Sequence, residues 1–129
     1  MSAPTRLIFL CTGNAARSVM AATMFADRAD RAEGFDVVSA GTHVIEGLPM
    51  SSRTRKALLA RGHQNRSHLS HQLTSDDIEG AALIVAMEPG HLRYIERQFP
   101  SARSRAGLFP TLVELLEDAP SPDRLAARV

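Results

Sequence analysis

Cys11 stands six positions before Arg17, and the residues between them, Thr12-Gly13-Asn14-Ala15-Ala16, are small or turn-forming. A thiolate, a guanidinium and a loop that aims several backbone N–H groups at one point can together bind and attack a tetrahedral oxyanion. Gly13 and Asn14 tolerate the positive φ values that such a cradle requires. Arg17 brings a planar fork of donors that holds two oxygens at once, and Ser18 can donate its hydroxyl to Cys11. A helix starting here adds partial positive charge, which together with Arg17 favours the thiolate and makes Cys11 a nucleophile. Arginine is common in this chain, so the C-x5-R spacing says little by itself. The flanking elements decide its weight.

Those elements fit. Arg6 to Cys11 reads as a short apolar strand and Thr12-Gly13-Asn14 as a turn; a helix follows, with Ser18 able to start it and Met20, Met24 and Phe25 on its inner face. Phe35–Ser39 predicts a second strand ended by Ala40-Gly41. Ser51 or Ser52 can cap a helix that carries Ala57, Leu58 and Leu59 up to Gly62. The polar stretch from His63 to Ser75 reads as loop, Ala81–Met87 as a third strand, and the next segment as a helix with Leu92, Ile95 and Phe99 on one face, stopped by Pro100. Arg105–Phe109 is a fourth strand, Thr111–Asp118 a short helix, and Ser121-Pro122-Asp123 another helix start. Alternating strands and helices predict an α/β sandwich on a parallel sheet, where ligands bind outside the carboxyl ends of the strands. The Cys11–Ser18 loop lies at that edge.

Composition excludes several other classes. A chain of 129 residues with 44% hydrophobic and 22% charged residues is a single globular domain, neither disordered nor fibrous. The net charge is +1 and the basic residues are scattered, so no nucleic-acid partner is expected. No apolar run is long enough for a membrane span. One cysteine cannot build a disulfide framework, and the expected location is the cytoplasm. His43, His63, His71 and His91 share no metal-ligand spacing with Cys11, so no metal is expected. Arg53, Lys56 and Arg61 read as a solvated helix face.

The run Leu10-Cys11-Thr12-Gly13-Asn14-Ala15-Ala16-Arg17-Ser18-Val19-Met20-Ala21 resembles the signature of the low-molecular-weight protein tyrosine phosphatases. The resemblance continues at Ser39-Ala40-Gly41-Thr42, at Ser67 to Thr74 and at Leu83 to Glu88, and so covers nearly the whole chain. It implies a three-layer α/β sandwich of flavodoxin-like topology with a four-stranded parallel sheet. It also implies a phosphomonoesterase that works through a phosphocysteine intermediate without cofactor. Cys11 would be the nucleophile, Arg17 the phosphoryl-binding group, Ser18 the support of the thiolate, and Thr12, Gly13, Asn14, Ala15 and Ala16 the cradle. Asn14, Ser18, Ser39 and His68 match positions that hold the loop in shape. The implied partners are a phosphorylated protein or a small phosphomonoester, with oxyanions such as phosphate or vanadate as inhibitors.

The chain departs from the family at the general acid, which the family places in an Asp-Pro pair on a late loop. Here the nearest pieces are Asp118-Ala119-Pro120 and Pro122-Asp123. Residues 1–129 are therefore expected to form one such domain lacking its C-terminal segment, the acid lost with it. An unusual acid at Asp118 or Asp123, or an inactive relative, are the other readings. The loop after the second strand, His43-Val44-Ile45-Glu46, lacks the aromatics of the phosphotyrosine-preferring members, and the single tyrosine, Tyr94, lies far from it in sequence. Two rival functions remain: an arsenate reductase on the same fold using an external thiol, and a catalytically silent phosphate-binding module.

Overall fold

Leu7 to Cys11 are buried without a break, as a strand covered on both faces demands, and they form the centre of the sheet. In the computed structural model, which describes residues 5–27, 34–65 and 67–111, this strand is β1 (Thr5–Cys11). It is followed by α1 (Arg17–Asp27), β2 (Phe35–Gly41), α2 (Ser52–Ala60), α3 (Ser75–Gly80), β3 (Ala81–Ala86), α4 (Pro89–Gln98), a 3-10 helix (Pro100–Arg105) and β4 (Ala106–Leu108). The sheet is four-stranded and parallel, in the order β2-β1-β3-β4. The chain thus leaves β1 toward one edge and β3 toward the other, which opens a crevice at their carboxyl ends.

Successive strand residues face opposite layers. Ile8, Leu10 and Ile84 join Ile78 of α3, Ile95 of α4 and Ala102 on one side, while Phe9 and Val85 meet Ala22 of α1 on the other. Helices on both faces make the three-layer sandwich expected. A third cluster, Val19, Met50 and Leu58, packs α2 against α1.

Several local expectations shift. α1 starts at Arg17, one residue earlier than expected, and the Ser18 hydroxyl bonds Cys11 Sγ and Asn14 Nδ2 instead of capping. Its buried residues are Ser18, Val19, Ala22 and Thr23, whereas Met20, Met24 and Phe25 are only half-buried. Small residues let α1 approach the sheet, and the longer side chains fill its flanks. β2 runs on to Gly41, since Ala40 and Gly41 pair in register with Leu10 and Cys11. In α2 Ser51 is the cap, accepting from the Thr54 N–H at 3.2 Å. The helix ends at Ala60, and the expected stop, Gly62, follows its cap: the φ of 81° lets the Gly62 N–H reach Leu59 O and the His63 N–H reach Leu58 O. Leu58 is buried there, but Leu59 faces outward.

α3 and the 3-10 helix were not expected. The start of α3 is a capping box between Thr74 and Asp77, a pattern visible in the sequence but attached to only one buried residue, Ile78. β4 is shorter than Arg105–Phe109, because the 3-10 turn begun at Pro100 occupies Arg105. Most of the expected Thr111–Asp118 helix, the Ser121 helix start, and both Asp118 and Asp123 lie outside the described residues.

Candidate active site

Cys11 closes β1, and the chain then bends through a segment whose carbonyls point outward. Cys11 O accepts from Thr42 N–H and Thr12 O from His43 N–H, each at 3.0 Å, while Asn14 O accepts from His68 Nε2 at 2.9 Å. Ala15 O accepts from Ser51 N–H at 3.4 Å, and Ala16 O from Met20 N–H in the first turn of α1. The N–H groups of Gly13 to Arg17 meet no protein acceptor among the described residues. This is the arrangement an anion cradle needs.

Asn14 holds the bend. It is fully buried, has a φ of 55°, and uses its whole amide: Nδ2 donates to Ser18 Oγ at 2.9 Å and to Ser39 Oγ at 3.0 Å, and Oδ1 accepts from the His71 N–H at 2.9 Å. Because Ser18 Oγ accepts from Asn14, its own proton is free for Cys11 Sγ, 2.9 Å away. All four residues expected to support the loop, Asn14, Ser18, Ser39 and His68, are therefore in one network. A Cβ on Gly41 would lie 2.3 Å from a methyl of Val44 and 2.5 Å from Thr12 O, so only glycine lets β2 end against the loop.

Two residues that sequence reasoning missed complete the other wall. Glu88, two residues beyond the end of β3, accepts from Arg17 Nη1 at 2.8 Å, with both side chains half-exposed. The hydrogen bond and the charge of Arg17 hold the Glu88 carboxyl below its ordinary range. His91, on the first turn of α4, is buried; its Nδ1 accepts from the Glu88 N–H at 3.2 Å, so the ring proton sits on Nε2, 3.0 Å from Thr12 Oγ1. Burial pushes His91 below the usual histidine value; Glu88 opposes this and Arg17 adds to it. The signal was the position of Glu88 and His91 after a parallel strand that borders β1.

The loop after β2 is fastened by Gln72, which accepts from the Val44 N–H at 2.9 Å and donates to Thr42 O at 2.8 Å. Tyr94, remote in sequence, reaches this corner: its hydroxyl lies 3.2 Å from Gln72 Nε2 and its ring 5.8 Å from that of His43. His71 bridges Asp77 at 2.7 Å and Glu46 at 3.5 Å.

A thiol at the end of a central strand, an outward-tied loop and an arginine at the helix start define an anion-binding loop on a flavodoxin-like sheet. Residues 6–121 match the family described as low molecular weight phosphotyrosine protein phosphatase, and the chain belongs to that family. It is 35% identical to the protein-arginine-phosphatase of Geobacillus stearothermophilus over 79% of this chain and 67% of that protein. It is 33% identical to a low molecular weight protein-tyrosine-phosphatase of Streptomyces coelicolor over 78% of this chain and 63% of the relative. A solved structure, YwlE arginine phosphatase from Geobacillus stearothermophilus, superposes with a TM-score of 0.76 at 34% identity, covering 81% of this chain and 66% of that one. The chain spans about two thirds of the length of these relatives.

Proposed function

We propose that this chain is a protein phosphatase acting through a phosphocysteine intermediate, and the observation that carries it is the tied loop around Cys11. The Cys11 thiolate attacks phosphorus, the bond to the leaving atom breaks, and the phosphoryl group moves to Sγ. Water then hydrolyses the S–P bond, releasing phosphate and returning the thiolate. Ser18 supports the thiolate when it attacks and when it leaves. Arg17 and the loop N–H groups hold the equatorial oxygens, where electrostatic positioning provides most of the acceleration. The same cradle takes phosphate or vanadate as inhibitors. A thiol that must stay reduced to act suits the cytoplasm. Among the described residues no helix is long and apolar enough to cross a membrane.

The substrate we infer is a phosphorylated protein side chain. Phosphotyrosine follows the family; phosphoarginine is the second reading, favoured by the Geobacillus relative and its structure. Hydrolysis of aryl phosphates with good and poor leaving groups, in the parent and in Cys11→Ser, tests the mechanism. A good leaving group needs little protonation and so reports on Cys11 and Arg17 alone. Turnover of the activated ester alone means a working nucleophile without its acid; turnover of both means an acid is present. No Cys11-dependent turnover overturns the proposal and leaves thiol-dependent arsenate reduction and silent phosphate binding as the remaining functions. Matched peptides carrying phosphotyrosine or phosphoarginine then separate the two substrates.

A further inference from the structure

The crevice between β1 and β3 brings together the phosphate loop and the tight connection into α4. His91 sits between them, 3% exposed, with its two ring nitrogens engaged on different segments. We propose that His91 is a positioning residue for phosphoryl transfer: its Nε2–H fixes Thr12 at the start of the phosphate loop, and its Nδ1 fixes the backbone of Glu88, whose carboxylate aims Arg17. One imidazole thereby couples the first residue of the cradle to its arginine. A helix cap alone would use Nδ1 and leave Nε2 to any partner. Here Nε2 lies 3.0 Å from the Thr12 hydroxyl and 3.6 Å from Glu88 Oε1.

Both contacts belong to one protonation state. A proton added at Nδ1 would set two N–H groups against each other and release the Glu88 backbone. The charged groups facing the ring, Glu88 and Arg17, pull in opposite directions, and burial disfavours the cation, so the joint is closed at neutral pH and opens on the acid side.

The kinetic arm of the test rests on the phosphatase reading, whereas the binding arm needs only the cradle. Asparagine at position 91 keeps an acceptor near Nδ1 but cannot reach Thr12. In the full chain, His91→Asn is expected to melt near the parent yet to lose about 3- to 10-fold in affinity for inorganic phosphate and in kcat/KM for an activated aryl phosphate. Thr12→Val, at an exposed residue, is expected to lose the same amount, and the double variant no more than either alone. The acid limb of the parent's kcat/KM profile should shrink in His91→Asn, the ionisation of the substrate being common to both. Unchanged phosphate affinity in Thr12→Val, or additive losses in the double variant, would reduce His91 to a helix cap and overturn the proposal. If His91→Asn does not fold, Thr12→Val alone decides by the same measure. A parent that binds phosphate without turnover sinks the phosphatase reading and leaves the positioning role to the affinities.

Discussion

Two connections leave the carboxyl edge of the sheet side by side, residues 12–16 after β1 and residues 42–51 after β2, and both are held firmly. They are held for opposite ends. In the first, hydrogen bonds capture the carbonyls and the N–H groups of Gly13 to Arg17 keep no protein acceptor among the described residues. In the second, buried Ser70 captures the backbone: its hydroxyl accepts from Leu48 N–H, its carbonyl from Gly47 N–H, and its own N–H donates to Leu48 O. The side chains there turn outward, with Ile45 75% and Leu48 48% exposed. In the proposed function, the first connection presents main chain, which every phosphate meets alike, and the second presents side chains, which can tell one phosphorylated surface from another.

The contrast can be broken most severely at Cys11, the proposed nucleophile. Cys11→Ser should lower turnover of an activated aryl phosphate by on the order of 10⁴ or more while phosphate binding, measured by calorimetry, persists. Next comes the contact between the two connections. Gly41→Ala forces a Cβ onto Thr12 O and Val44, and should cost about 3 kcal/mol, seen as a fall in Tm on the order of 10 °C. Asn14→Gly keeps the left-handed backbone but removes the amide, which separates the two roles of that residue. A loss of about 10- to 100-fold in kcat/KM is expected, and an unchanged value would show that the φ alone shapes the cradle.

Smaller effects follow at the supports of the second connection. Burial raises the Asp77 carboxyl, but the Thr74 N–H, His71 and the Thr74 hydroxyl outweigh it and the net displacement is downward. A carboxyl lowered on folding stabilises the fold above its unfolded value and loses that contribution as pH falls through the folded one. Acid denaturation of Asp77→Asn should therefore be flatter than that of the parent below about pH 4. The least effect on the fold is expected from Ile45→Ser, within about 0.5 kcal/mol in urea denaturation. Its kcat/KM for a small aryl phosphate should stay constant while that for a phosphorylated protein changes. An equal change on both would mean that this connection also shapes the cradle.

Much of the candidate site was legible because the loop from Cys11 to Arg17 is local. A strand, a turn-forming Gly13-Asn14 pair, an arginine and a helix start fall within one short stretch, although of the two turn residues only Asn14, not Gly13, takes the positive φ expected of them. Ser39 and His68 carry no such local signal; each reads as an ordinary turn or surface residue until the loop is in place, and only the family resemblance singled them out. α3 and the 3-10 turn escaped because six-residue helices show too little periodicity to read.

The sequence by itself determined the alternation of strands and helices and the loop that carries Cys11 and Arg17 between β1 and α1, because those rest on contacts between near neighbours. Tertiary structure alone decided that Asn14 spends its amide on Ser18, Ser39 and His71, that Gly41 must lack a side chain, and that Glu88 and His91 close the cradle from the far side of the crevice. Partners separated by tens of residues meet only once the parallel crossovers have set the strand order, and no spacing along the chain encodes that meeting.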